Sequence, residues 1–302
     1  MDPSDVAGAV MLDLPRDWAE LIDRLRSDSW RRVVVLGGTD MGKSSFCRLL
    51  CGHLTTQDHR VALLDTDLGQ KMIGPPACVS LATFSADTMT LERIRFVGEA
   101  SGASNIPGVI AATARLAGGS SADRLVVNTS GLITGPGIPL KRWKLDALDP
   151  EHVVAIALGE ELAPVLHAFP PGRVHRLRPS SATRRKNPSL REHNRRSSLL
   201  AALGDCRSVS LPQLVIEDLH RSPPPPDALR LCGFADATGE DRAVGLVRWP
   251  DYLERQEVWA GLLDFQPYRM RLGMSLADLG TVPGPFHLLS RERPPSPAVP
   301  MP

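Results

Sequence analysis

Apolar positions along the first two thirds of the chain follow two alternating rhythms. Residues 15–28 set Trp18, Leu21, Ile22 and Leu25 at helical spacing, which predicts an amphipathic helix leading into a core. Arg32 to Leu36 is a continuous apolar run ending in Gly37-Gly38, the pattern of a strand buried on both faces of a parallel sheet. Similar runs recur at 60–65, 93–98, 124–128 and 152–159, with helix-like stretches at 43–54, 105–117 and 160–168. Strands alternating with helices predict an α/β fold on a doubly wound parallel sheet.

After about residue 205 the texture changes. Pro223 to Pro226 cannot continue a helix or a central strand. The short segments LRLCGFAD, AVGLVRW and VWAGLLDF that follow read as strands of a small β-rich C-terminal module. The expected organisation is an N-terminal helix (1–29), an α/β domain (30–205), a β-rich domain (206–290) and a disordered tail (291–302).

Composition changes this picture little. Hydrophobic residues make up 42% and charged residues 23%, ordinary for a globular chain, and a net charge of +1 excludes a generic polyanion binder. Five cysteines without a Cys-x-x-Cys pair, no basic leader and no run of 18 apolar residues predict a reducing, cytoplasmic setting with no membrane span. Cys47 and Cys51, four apart, are expected on the buried side of a helix.

The chemistry begins at Gly37-Gly38-Thr39-Asp40-Met41-Gly42-Lys43-Ser44, a full match to G-x-x-x-x-G-K-[ST] between a buried strand and an apolar helix that Ser45 opens. Glycines let backbone N–H groups turn inward around phosphates, and the helix N-terminus adds partial positive charge. Lys43 would bridge the β- and γ-phosphates of ATP, and Ser44 would ligate Mg²⁺. Asp65-Thr66-Asp67-Leu68-Gly69-Gln70 follows at a strand end, where Asp65 and Asp67 can divide metal binding and proton acceptance between them. From Arg173 to Arg196 eight arginines and one lysine face a single acid, Glu192; Arg191 and Arg195 are four apart, on one face of a helix.

GGTDMGKSS followed by DTDLGQ resembles the polynucleotide 5′-hydroxyl kinase family. FVGEASGASNI (96–106) is similar to that family's segment clasping the acceptor strand, VVNTSGLITGPG (126–137) to its N-T-x-G-W segment, and RRKNPSLREHNRR (184–196) to its arginine-bearing lid. The resemblance implies a P-loop kinase fold and a catalytic set of Lys43, Asp67, Arg191 and Arg195. It also implies Mg²⁺ at Ser44, Asp65 and Asp67, and acceptor contacts from Gln70, Ser101, Ser104, Asn105 and Thr129. RNA or DNA 5′-hydroxyl ends, or both, are the implied partners. Leu132 stands where the family has its tryptophan, which removes a stacking platform worth about 1–3 kcal/mol. Two other readings stay open: an ATP-binding scaffold for RNA processing, and an NTP-driven switch.

Overall fold

Strand β1 (Arg32–Gly37) runs through the middle of the molecule, with Val33, Val34, Val35 and Leu36 wholly out of solvent. It pairs in parallel with β5 (Arg124–Asn128) on one side and β6 (His152–Ile156) on the other. Strands β2 (Val61–Asp65) and β7 (Val174–Leu177) lie outside these, giving the parallel order β7-β6-β1-β5-β2. This computed structural model describes residues 14–56, 59–85, 88–211, 213–219, 228–248, 256–261 and 263–275.

The two-residue period of β1 sends its side chains to opposite layers. Val33 and Val35 pack with helices α1 (Arg16–Ser27) and α2 (Lys43–Thr55), through Trp18, Ile22, Phe46 and Leu50. Val34 and Leu36 pack with α3 (Ile106–Gly118), α4 (Gly137–Leu148) and α5 (Ala163–Leu166), through Val109, Leu116, Leu140, Leu145 and Val165. Helices on both faces are what the apolar runs predict, and Cys47 and Cys51 are buried on α2.

Beyond β2 the sheet becomes antiparallel through β3 (Cys78–Ser85) and β4 (Thr88–Phe96). It continues without a break into β11 (Asp241–Arg248), β10 (Leu229–Ala235), β13 (Arg269–Ser275) and β9 (Val215–Asp218). Strands β12 (Glu257–Ala260) and β8 (Arg207–Ser210) branch from β11. The β-rich segment therefore extends the main sheet. Its junction is the Asp241–Ile94 pairing, where the buried Asp241 carboxylate accepts from Phe96 N (3.0 Å) and ion-pairs with Arg271 and Arg95. Helix α6 (Pro188–Leu203) buries Leu199 and Leu203 beside Phe96, Leu229 and Leu231, leaving its N-terminal half to reach toward the P-loop.

Some elements differ from the sequence pattern. The 93–98 run belongs to antiparallel β4, and the 160–168 stretch contracts to α5, one short turn with Pro164 at its start. Helix α4 is absent from the apolar pattern because Lys141 and Lys144 lie on its buried face, where the periodicity looks for hydrophobic residues. Pro223–Pro226 and the 291–302 tail lie outside the described residues, as do Trp249 of the AVGLVRW reading and Leu262 of the VWAGLLDF reading.

Candidate active site

Three loops converge at the C-terminal ends of β1, β2 and β5, where open α/β sheets bind their ligands. The β1–α2 loop is a built cradle. Gly42 caps α2 with φ +88°, a conformation glycine adopts freely, and a side chain there would strike Trp18 of α1 at 2.9 Å. At Gly37 a Cβ would lie 2.7 Å from the Ile156 carbonyl oxygen. Asp40 also takes positive φ (58°), which an aspartate tolerates.

Lys43 is buried and donates from Nζ to the Gly38 carbonyl oxygen at 2.6 Å. Burial lowers its pKa, opposed by the carboxylate of Asp67 and, more weakly, Asp40. Ser44 and Ser45 are exposed on the first turn of α2, Thr39 is exposed at the loop tip, and Met41 packs at the edge of the α1–α2 core. Gly131 presses against Thr39 so closely that a Cβ there would sit 2.7 Å from the Thr39 nitrogen, which fixes the β5–α4 loop against the cradle.

The two aspartates of the second loop are used differently. Asp65 is fully buried. Its carboxylate accepts from Asp67 N (3.2 Å), Met72 N (2.7 Å), Ile73 N (3.4 Å) and Asn128 Nδ2 (3.0 Å), and pairs with Lys71 Nζ at 3.1 Å. Asp65 thus knots the loop that presents Asp67. Asp67 is half-buried and turns Oδ1 back to Gly69 N and Gln70 N, both at 3.0 Å. Gln70 Nε2 donates to the Arg191 carbonyl (3.1 Å), while the buried Gln70 Oε1 has no partner among the described residues.

The lid closes onto the cradle. Arg191 Nη2 forms an ion pair with Asp40 Oδ2, which also accepts from Lys186 N at 3.0 Å. Asn187 caps α6 by accepting from Leu190 N at 2.7 Å, and Pro188 starts its first turn. Arg195 is half-buried one turn further on. The remaining acceptor candidates separate. Ser101 and Ser104 are exposed on the loop before α3. Asn105 caps α3, accepting from Gly108 N (3.0 Å) and donating to the Val97 carbonyl (3.2 Å). Thr129 is buried and donates to the Val35 carbonyl at 2.8 Å, inside the sheet. Trp143 is 51% exposed on α4.

The pattern of apolar residues did not single out Lys141 and Lys144 as functional. Both are buried, on the face of α4 turned toward this site. Lys141 Nζ donates to the Ser130 carbonyl (2.6 Å) and Ser130 Oγ (3.0 Å), and Lys144 Nζ to Thr66 Oγ1 (2.7 Å). Burial pushes the Lys144 ammonium down to about 7, against the pull of Asp67 and Asp65, and holds Lys141 well below its ordinary value, with Lys144 adding to the effect. Two lysines three residues apart, among Leu140, Leu145 and Leu148, were the available signal.

A glycine cradle, a buried lysine on a helix N-terminus and a carboxylate in the loop after β2, one strand beyond β1's neighbour β5, define a P-loop protein of the kinase fold. Residues 37–201 match the family described as mRNA cleavage and polyadenylation factor CLP1 P-loop, and the chain belongs to that family. It is 33% identical over 165 residues to a polyribonucleotide 5′-hydroxyl-kinase of Pyrococcus furiosus, covering 52% of this chain and 47% of that protein. It is 30% identical over 131 residues to the human polynucleotide 5′-hydroxyl-kinase NOL9, covering 40% and 19%. The chain spans about half the length of the archaeal relatives it matches. The fold is similar to that of Clp1p in a wild-type Clp1p–Pcf11p complex, with a TM-score of 0.65 at 13% identity over 84% of this chain and 76% of that one. Family and fold together imply use of a nucleotide.

Proposed function

We propose that this chain is a polynucleotide 5′-hydroxyl kinase that transfers the γ-phosphoryl group of ATP, bound with Mg²⁺, to the 5′-hydroxyl of RNA or DNA. The observation that carries the reading is the meeting of Lys43, Asp67 and the Arg191 lid around one glycine cradle. The names of the archaeal and human relatives support the acceptor class.

The residues present fit the nucleotide and its metal. The cradle excludes side chains at Gly37 and Gly42, Lys43 supplies an ammonium, and Ser44 and Asp67 offer the oxygen donors a hard cation takes. Bound Mg²⁺ would neutralise charge on the β- and γ-phosphate oxygens. Lys43 would leave the Gly38 carbonyl for those oxygens, and the first turn of α2 would add its N–H groups. Asp67 would accept the proton of the attacking hydroxyl as the O5′–Pγ bond forms and the bond from Pγ to the β–γ bridging oxygen breaks, releasing ADP. Arg191 and Arg195 would neutralise charge developing on the transferred group, a role worth about 10³–10⁵ in rate.

Asp65, whose carboxylate is surrounded by protein donors, acts in this reading as the brace of Asp67. Asn105 and Thr129, spent on Val97 and Val35, shape the acceptor cleft from behind. Contacts to the acceptor then fall to Gln70, whose Oε1 has no partner among the described residues, and to Ser101 and Ser104.

The test is transfer of label from γ-labelled ATP to short 5′-hydroxyl RNA and DNA, followed by digestion with a 5′-monophosphate-dependent exonuclease. Mg²⁺-dependent labelling that makes the oligonucleotide digestible supports the reading. Tight ATP binding with no labelled product on any acceptor would replace it with the scaffold reading, for which Leu132 in the tryptophan position is the specific observation.

A further inference from the structure

Lys141 and Lys144 are the most demanding residues of the fold. Their side chains lie inside the protein, at 0% and 1% exposure, and neither forms an ion pair among the described residues. Desolvating an ammonium costs several kcal/mol unless something in the site repays it. Leucine or methionine at either position would fill the same face of α4, which otherwise consists of Gly137, Leu140, Leu145 and Leu148. A role in core packing therefore leaves the two buried amines unexplained.

What the two Nζ groups hold is specific. Lys144 donates to the hydroxyl of Thr66, the residue between Asp65 and Asp67. That hydroxyl in turn donates to the Asn128 carbonyl at 2.7 Å, and the Thr66 backbone N–H meets the same oxygen at 3.1 Å. Asn128 Nδ2 then reaches Asp65. The ends of β2 and β5 are thus pinned together by a chain that starts at Lys144. Lys141, one turn earlier, grips Ser130, whose neighbour Gly131 abuts Thr39 of the cradle. One helix face, through two lysines, sets the distance between the acidic loop and the phosphate loop.

We propose that Lys144 is a positioning residue for phosphoryl transfer. It acts through Thr66 to fix the direction in which Asp67 faces the cradle, and Lys141 provides the matching hold on the β5–α4 loop. The proposal rests on the kinase reading for its rate measurement, while its binding measurement stands without it. A helix whose buried lysines grip both loops gives the geometric precision that in-line transfer requires, since a misplacement of about 1 Å can cost 10²-fold in rate.

The experiment compares wild type, Lys144→Met, Lys144→Gln and Thr66→Val in the full chain. It reads thermal midpoint, ATP affinity with and without Mg²⁺, and kcat and KM for label transfer. Lys144→Met is expected to melt at or above the wild-type midpoint and to lower kcat about 100-fold with KM for ATP within threefold. Lys144→Gln, which keeps a donor for Thr66, is expected to recover at least tenfold of that loss. Thr66→Val should lower kcat as Lys144→Met does, and the double variant should be no worse than the more impaired single one. The Mg²⁺-dependent gain in ATP affinity should shrink in Lys144→Met as well. Wild-type kcat in a folded Lys144→Met protein, or additive losses in the double variant, would overturn the proposal. If wild type transfers nothing, the kinase reading fails, and an unchanged Mg²⁺-dependent gain in Lys144→Met would then overturn the positioning role on its own.

Discussion

Replacing Asp65 with asparagine separates a brace from a metal ligand. The Asp65 carboxylate is fully buried, receives four N–H donors and faces Lys71 Nζ at 3.1 Å, with the Lys71 side chain 1% exposed. Asparagine keeps the shape, removes the charge and turns an NH₂ group toward groups that are themselves donors. Lys71 is left as a buried cation whose remaining partners are the carbonyl oxygens of Asp65 (3.2 Å) and Cys78 (3.0 Å). Breaking a buried pair from one side costs about 3–5 kcal/mol. At about 2–4 °C per kcal/mol, the midpoint should fall by roughly 6–20 °C. Lys71→Met should fall less, because the carboxylate keeps its N–H donors. The assay is thermal melting followed by circular dichroism, without nucleotide or Mg²⁺. Asp65→Asn melting within about 2 °C of wild type would refute the brace and return Asp65 to the metal.

Other outcomes follow from the same geometry. Asp40→Asn keeps an acceptor for Lys186 N but removes the ion pair to Arg191. A loss of at least about 1 kcal/mol at this largely shielded pair should make the lid open at least roughly fivefold more often, read as faster tryptic cleavage at Arg184–Lys186; unchanged cleavage would contradict the latch. Lys43→Met should melt no lower than wild type, since it removes a buried cation held by one carbonyl, while losing most nucleotide affinity; a destabilised variant would contradict this. His152 and His175 face each other at 3.0 Å, and burial lowers both pKa values below the ordinary histidine range. The unfolded chain then binds more protons as pH falls, so their stability contribution is present above about 6.5 and lost on acidification. His175→Gln should therefore flatten the drop in melting temperature between about pH 7 and pH 5, and an identical drop would rule the pair out as its source.

The parts of the site legible in the sequence were those with fixed spacing. The cradle must have glycine where backbone turns inward, and its lysine must open a helix, so residues 37–44 declare themselves without tertiary information. The doubly wound core was visible in the same way, because strands such as Val33–Leu36 are apolar throughout. What spacing could not convey was how each polar group is spent. Asp65 and Asp67 look equivalent two residues apart, yet one is enclosed by donors and the other faces the cradle. Asn105, which the resemblance puts in the acceptor clasp, also caps α3, a use that its place in the sequence does not announce. The continuity of the sheet into the C-terminal strands depends on Asp241 meeting Phe96 and Arg95, partners nearly 150 residues away whose pairing no local pattern carries. Lys141 and Lys144 inverted the usual signal by placing charge on the face that periodicity assigns to the core.

The proposed mechanism has Asp67 serve the reaction from a framework that Asp65 and Lys144 hold in place. Its most direct measurement is single-turnover transfer from pre-bound, γ-labelled ATP to a 5′-hydroxyl oligonucleotide by wild type and Asp67→Asn. ATP affinity should stay within a few-fold and transfer should slow at least about 100-fold in the variant, as expected when a general base is lost. Transfer by Asp67→Asn at the wild-type rate would contradict it.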